Sequence, residues 1–123
     1  MGEGHHGWAT AEWLLLLRNL LLFEDSDTLH LTRVLLNDHL ECGNTFSVRS
    51  APSYFGKISF KISADKKEVW LELGDDLQLT TPKELIWHLP FKPLKTFIDG
   101  QISPLTTETI RLNPHNTKVV VVK

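Results

Sequence analysis

Two groups of carboxylates have the type and spacing to break bonds in this 123-residue chain: the pair Asp75–Asp76 in "GDD" and the run from Glu24 to Asp27 in "EDSD". Hydrolysis of a glycosidic bond needs two carboxyl groups on either side of one bond, one acting as acid and the other as nucleophile or base. Both groups here stand in stretches that read as turns, so they are expected to be solvated and not housed in a cleft. Asp25 and Asp27 also have the spacing of the first two ligands of a calcium loop, but such a loop requires glycine at its sixth position, where His30 stands. The adjacent His5 and His6 in "GHHG" have no fixed third ligand. Cys42, the sole cysteine, and nearby His39 lack the further partners of a zinc site. With no glycine-rich phosphate loop and no G-x-S-x-G elbow, the chain reads as non-catalytic, with no metal and no cofactor.

Trp70 is the remaining residue with a chemical use. The alternation in "EVWLEL" turns Val69, Leu71 and Leu73 inward and Trp70 outward, beside Glu68 and Glu72. An outward indole can stack on a sugar ring, join an interface with another domain, or pack under a loop. It is carried forward as a carbohydrate or interdomain contact.

The elements that would hold these residues are mostly strands. "TLHLT", "FSVRS", "GKISFKIS", "EVWLEL", "LIWHL", "KTFIDGQIS", "ETIRL" and "KVVVV" follow one another with turn signals between them. Leu29 and Leu31, then Ile58, Phe60 and Ile62, then Leu85, Trp87 and Leu89, fall on inward faces, and Asp99–Gly100 reads as a hairpin turn. Tyr54 and Phe55 are expected to pin a turn to the core, with Gly56 supplying a backbone geometry other residues resist. The "KVVVV" segment reads as a strand covered on both faces. The expected fold is mainly β: an antiparallel sandwich of about seven to eight strands, residues 26–123, preceded by one α-helix within residues 1–25.

That helix poses a physical problem. From Trp13 to Phe23 the sequence is "WLLLLRNLLLF", and at 100° per residue Leu14 to Leu17 point in four different directions. A helix apolar nearly all round is a buried one. A single sheet covers one side, leaving some four large side chains bare, and at ~1.5–3 kcal/mol each about 6–12 kcal/mol of burial would go unused. This is comparable with the whole stability of a domain. Trp8 to Phe23 spans about 24 Å as a helix, short of a ~30 Å bilayer core, and it carries Glu12 and Arg18; no membrane partner is expected. Nor is nucleic acid, since 13 basic and 15 acidic residues are scattered to a net charge of −2. The helix either self-associates or belonged to a larger body, and its start within ten residues of Met1 favours the second.

The stretch "GWATAEWLLLLRNLLLFEDSDTLHL" followed by "FSVRSAPSYFGKISFKI" resembles the C-terminal region of large bacterial glycoside-hydrolase-like proteins. In these, the last helix of an (α/α)6 barrel leads into a C-terminal β-sandwich. The match runs from Trp8 to Ile62 and thins to a general likeness beyond, including the "FIDGQ" hairpin; it departs between Arg33 and Leu40. The resemblance implies that the helix's missing cover is an N-terminal barrel of the same polypeptide and that any catalytic carboxylates lie upstream of Met1. It carries over no catalytic residue, and it puts Glu3, His5 and His6 where a barrel helix can approach a cleft. The function expected is that of an accessory, bracing domain of a glycoside hydrolase. The alternatives are a self-sufficient carbohydrate-binding module using Trp70, and an adhesion domain that oligomerises through the helix.

Overall fold

A computed structural model describes residues 4–74, 84–113, 115 and 118–123, with side chains from Gly7 onward. The leucine-rich stretch forms helix α1 (Gly4–Leu21) and passes without a loop into strand β1 (Leu22–Asp25). The helix expected to reach Phe23 thus ends two residues earlier, for a packing reason. Leu22 turns into the core while Phe23 takes the opposite face, and the last helical carbonyl, that of Leu21, accepts the Thr32 N–H at 2.8 Å. A helix-end carbonyl that would otherwise be orphaned continues the ladder of the first hairpin.

β1 pairs antiparallel with β2 (Thr28–Leu31). A single 3-10 turn (Asn37–Leu40) then leads to β3 (Thr45–Ser53), β4 (Gly56–Ala64) and β5 (Glu68–Leu73), and the chain continues through β6 (Glu84–His88), β7 (Lys95–Ile98), β8 (Gln101–Ser103), β9 (Thr109–Leu112) and β10 (Lys118–Val122). The described residues therefore hold ten strands, more than the seven or eight expected, in sheets ordered β1-β2-β6-β9 and β3-β4-β5-β10-β7-β8. All pairings are antiparallel except β2 with β6.

The inward residues named from alternation meet in one core between the sheets. Leu29, Leu31, Leu85 and Trp87 come from the four-stranded sheet, and Ile58, Phe60, Ile62, Val69, Leu71, Val119 and Val121 from the six-stranded one. This is the facing of two inner surfaces that defines a sandwich. Trp87 is fully enclosed at its centre. The β7–β8 turn has positive φ at both Asp99 (49°) and Gly100 (84°), the geometry of a two-residue hairpin whose twist matches its strands. In the β3–β4 turn Gly56 sits at φ 121° and Phe55 packs inward, but Tyr54 is 86 % exposed. The expectation that both aromatics pin this turn holds for Phe55 only, because the turn sends consecutive side chains to opposite sides. β3, an edge strand, carries a bulge between Val48 and Ala51, a device that blunts edge-to-edge pairing.

Leu71, on a central strand, is fully buried, whereas Leu15 on α1 is 54 % exposed. Leu71→Ala is expected to cost about 2–5 kcal/mol in denaturant unfolding of this chain, while Leu15→Ala stays within about 0.5 kcal/mol.

Candidate functional site

The burial problem posed by α1 persists in the folded chain. Every residue from Gly7 to Leu17 is exposed, and Trp8, Trp13 and Leu14 to Leu17 keep 49–69 % of their surface open. Neither sheet lies over the helix. Among the described residues its last turn is the part that is tied to the strands, and it is held firmly. Arg18 forms a two-pronged ion pair with Glu24 of β1, the Nη1–Oε2 arm measuring 2.5 Å. The same guanidinium donates to the carbonyls of Leu22 at 3.1 Å and Pro52 at 2.7 Å. Glu24 in turn accepts the Tyr54 N–H at 3.2 Å. Helix, first strand and β3–β4 turn are joined at one knot. The Arg18 hydrogen bond is the main cause that lowers the Glu24 carboxyl's pKa and raises the guanidinium's.

The acidic run is thereby accounted for. Glu24 is committed to Arg18, and Asp25 and Asp27 are exposed at the β1–β2 turn, as solvated turn residues should be. Cys42 is exposed and unbonded to another cysteine. His39 uses its Nδ1 to accept the Leu36 N–H at 3.0 Å. Among the described residues no three His, Cys, Asp or Glu side chains gather to hold a metal ion. Glu3, the side chains of His5 and His6, and the Asp75–Asp76 pair lie outside the described residues.

Trp70 faces outward from the six-stranded sheet, half-buried, and it does not stand alone. Register places it opposite Val120 of β10, which lies opposite Phe97 of β7, which lies opposite Ile102 of β8. Directly opposed residues share a face, so four large apolar side chains form one stripe across four adjacent strands. Ile102 at its end is 64 % exposed. Glu72 and Lys118, 3.8 Å apart, flank one side, and Glu68 and Lys95 flank the other, each opposite Val122. The second face of "KVVVV" is thus partly open surface, with Val120 and Val122 half-buried. Local alternation identifies Trp70 as outward but not the stripe, which depends on pairings between segments far apart in sequence.

A second cluster escaped the sequence reading altogether. On the outer face of the four-stranded sheet His30 Nδ1 lies 2.7 Å from His88 Nε2. The two residues are 58 positions apart and meet only because β2 and β6 run parallel. Phe23 lies tilted against His30, with ring centres 6.3 Å apart, and the Arg33 guanidinium sits 5.0 Å over the Phe23 ring. Burial is the first cause lowering both imidazole pKa values; Arg33 adds to it at both, and His30 adds to it at His88.

Arg18→Ala strands the Glu24 carboxylate, whose side chain is only 6 % exposed, and should cost about 1–3 kcal/mol. Because the Glu24 pKa is lowered in the fold, the stability from this knot is complete above the ordinary glutamate value of 4.5 and is lost as pH falls below it. Unfolding measured from pH 6 downwards should therefore show a shallower acid slope in Arg18→Ala than in the unaltered chain. Compared with family models, curated proteins and solved structures, the chain finds no match.

Proposed function

We propose that this chain is an accessory β-sandwich domain of a bacterial carbohydrate-processing protein, without a catalytic role of its own, and that α1 is one helix of a helical barrel in the same polypeptide. The observation that carries the proposal is the exposure of α1 on every side, with Leu14 to Leu17 bare in four directions. One neighbouring helix or a flat surface covers a single stripe of a helix. A surround of several helices covers all four leucines at once, and a helical barrel is such a surround. The knot at Arg18, Glu24 and the Pro52 carbonyl supports a bracing role, since it transmits the orientation of the sandwich to the base of the helix. The carbohydrate setting rests on the resemblance of Trp8–Ile62 to the C-terminal regions of glycoside-hydrolase-like proteins.

A second reading, a carbohydrate-binding module, draws its support from the stripe of Trp70, Val120, Phe97 and Ile102. Four adjacent strands at ~4.8 Å spacing make a platform about 14 Å long, and an indole face suits the C–H side of a sugar ring.

The purified chain is expected to self-associate in light scattering. Leu14→Glu with Leu17→Glu should return it to a folded monomer whose melting temperature no longer depends on protein concentration. The reading frame upstream of Met1 should continue into paired helices. A monomeric unaltered chain, or a frame without such helices, overturns the barrel assignment. Calorimetric titration with oligosaccharides should show no saturable binding; binding that disappears in Trp70→Ala would transfer the assignment to the second reading.

A further inference from the structure

The contact between His30 and His88 has a geometry that decides its chemistry. Their ring centres are 5.0 Å apart and the facing nitrogens 2.7 Å. An imidazole nitrogen lies about 1.15 Å from its own ring centre, so the two nitrogens sit on the line joining the centres. The lone-pair directions therefore point at each other. Two imidazoles chelating one metal ion need lone pairs that converge on a point beside that line. The arrangement found suits a proton held between the rings, N–H···N.

We propose that His30 and His88 form a proton-operated clasp across the parallel β2–β6 seam, closed while the pair carries none or one extra proton and opened by uptake of the second. In the neutral pair one ring donates its N–H to the bare nitrogen of the other. The donor's outer nitrogen is unprotonated, because a neutral imidazole carries a single proton. A first proton from solvent binds that outer nitrogen, and the bridge becomes N–H⁺···N, a charge-assisted bond that is stronger than the neutral one. A second proton finds the acceptor's remaining lone pair only at the bridging position. Its uptake converts the acceptor to a donor, breaks the N–H···N bond and leaves two cations face to face. The two steps belong to the pair and not to either ring.

The charged groups around the pair set where these steps fall. Asp25 on β1 and Glu84 at the start of β6 favour the charged form of His30, while Arg33 beyond β2 opposes it at both rings. Arg111 on β9 is drawn to Glu84, 3.4 Å away, which weakens that carboxylate's hold on His30. The seam also carries the hydrogen bond from Thr32 Oγ1 to the His88 carbonyl, 3.0 Å. β2–β6 is the strand pairing that joins the β1–β2 hairpin, and α1 with it, to the rest of its sheet. Leu29 and Leu31 keep β2 in the core, so opening loosens the seam without releasing the hairpin.

The test is nitrogen-detected NMR of the imidazoles in the full chain, together with amide hydrogen exchange, from pH 7.5 down to the onset of unfolding. Two coupled steps shared by His30 and His88 are expected. Exchange at Leu31 and Ile86, whose N–H groups face each other's strand across the seam while that of His30 faces β1, should, once corrected for its intrinsic pH dependence, accelerate about tenfold across the second step. In His88→Gln the His30 ring should titrate in one step and the acceleration should vanish; His30→Gln is the reciprocal variant and serves if the first fails to fold. Two rings titrating independently, or a seam whose corrected exchange is indifferent to the second proton, would overturn the clasp.

Discussion

The junction between α1 and β1 constrains everything else in this molecule. No residue separates helix from strand: the Leu21 carbonyl already belongs to the hairpin ladder through Thr32, and the Leu22 side chain already lies in the core. A helix attached through a flexible loop could fold back and shelter part of its surface on the nearest sheet. This one cannot, because its axis is set by the strand it becomes and by the Arg18–Glu24 knot at its base. Its apolar girth is therefore presented outward as a consequence of covalent continuity and one ion pair. The sandwich fixes the direction in which the helix leaves it.

The same economy runs through the sheets. The core is made by inner faces whose alternation leaves the outer faces free, and the outer faces diverge in character. That of the four-stranded sheet gathers Phe23, His30, Arg33 and His88, a polar and aromatic cluster tied to a parallel seam. That of the six-stranded sheet carries the Trp70 stripe between two rows of opposite charges. The flanking charges on that second face keep an apolar strip from becoming a general adhesive surface, since lysine and glutamate beside exposed apolar positions oppose sheet-to-sheet stacking. The Lys123 ammonium, donating to the Leu40 and Asp65 carbonyls at 2.6 and 2.8 Å, closes the end of the sandwich by joining the 3-10 turn to the β4–β5 turn.

The sequence made legible whatever a period of two or a dipeptide could encode. Ile58, Phe60 and Ile62, then Val69, Leu71 and Leu73, and Trp87 between Leu85 and Leu89, all face inward as alternation demands. Asp99–Gly100 turns as its two residue types allow. The end of α1 is not legible in the sequence, because Leu22 and Phe23 suit a greasy helix as well as a strand, and only the pairing Leu22↔Leu31 decides between them. The composition of the β3–β4 turn does not show that Tyr54 points away from Phe55, because a tight turn sends neighbouring aromatics apart. The parallel pairing of β2 with β6 was beyond reach, since it brings together segments separated by three strands of the other sheet. With it went the His30–His88 contact. The Trp70 stripe falls between these cases: alternation turns Trp70 outward, yet its alignment with Val120, Phe97 and Ile102 is a property of register and of nothing local.

The bracing and platform readings place their surfaces on different sheets, and this bears on how they relate. α1 grows from the edge of the four-stranded sheet and is anchored there and at the β3–β4 turn. The Trp70 stripe crosses β5, β10, β7 and β8, the far side of the six-stranded sheet from that anchor. A body enclosing α1 through its exposed turns therefore has no need of the stripe, and a ligand on the stripe has no need of the helix. The two surfaces are separable by single substitutions for the same structural reason: the core between them is continuous, and neither Leu14 nor Trp70 belongs to it. What the sandwich contributes in either reading is rigidity. It fixes a helix in one direction and four side chains in one row, and both depend on a sheet register that the buried residues on its inner face hold in place.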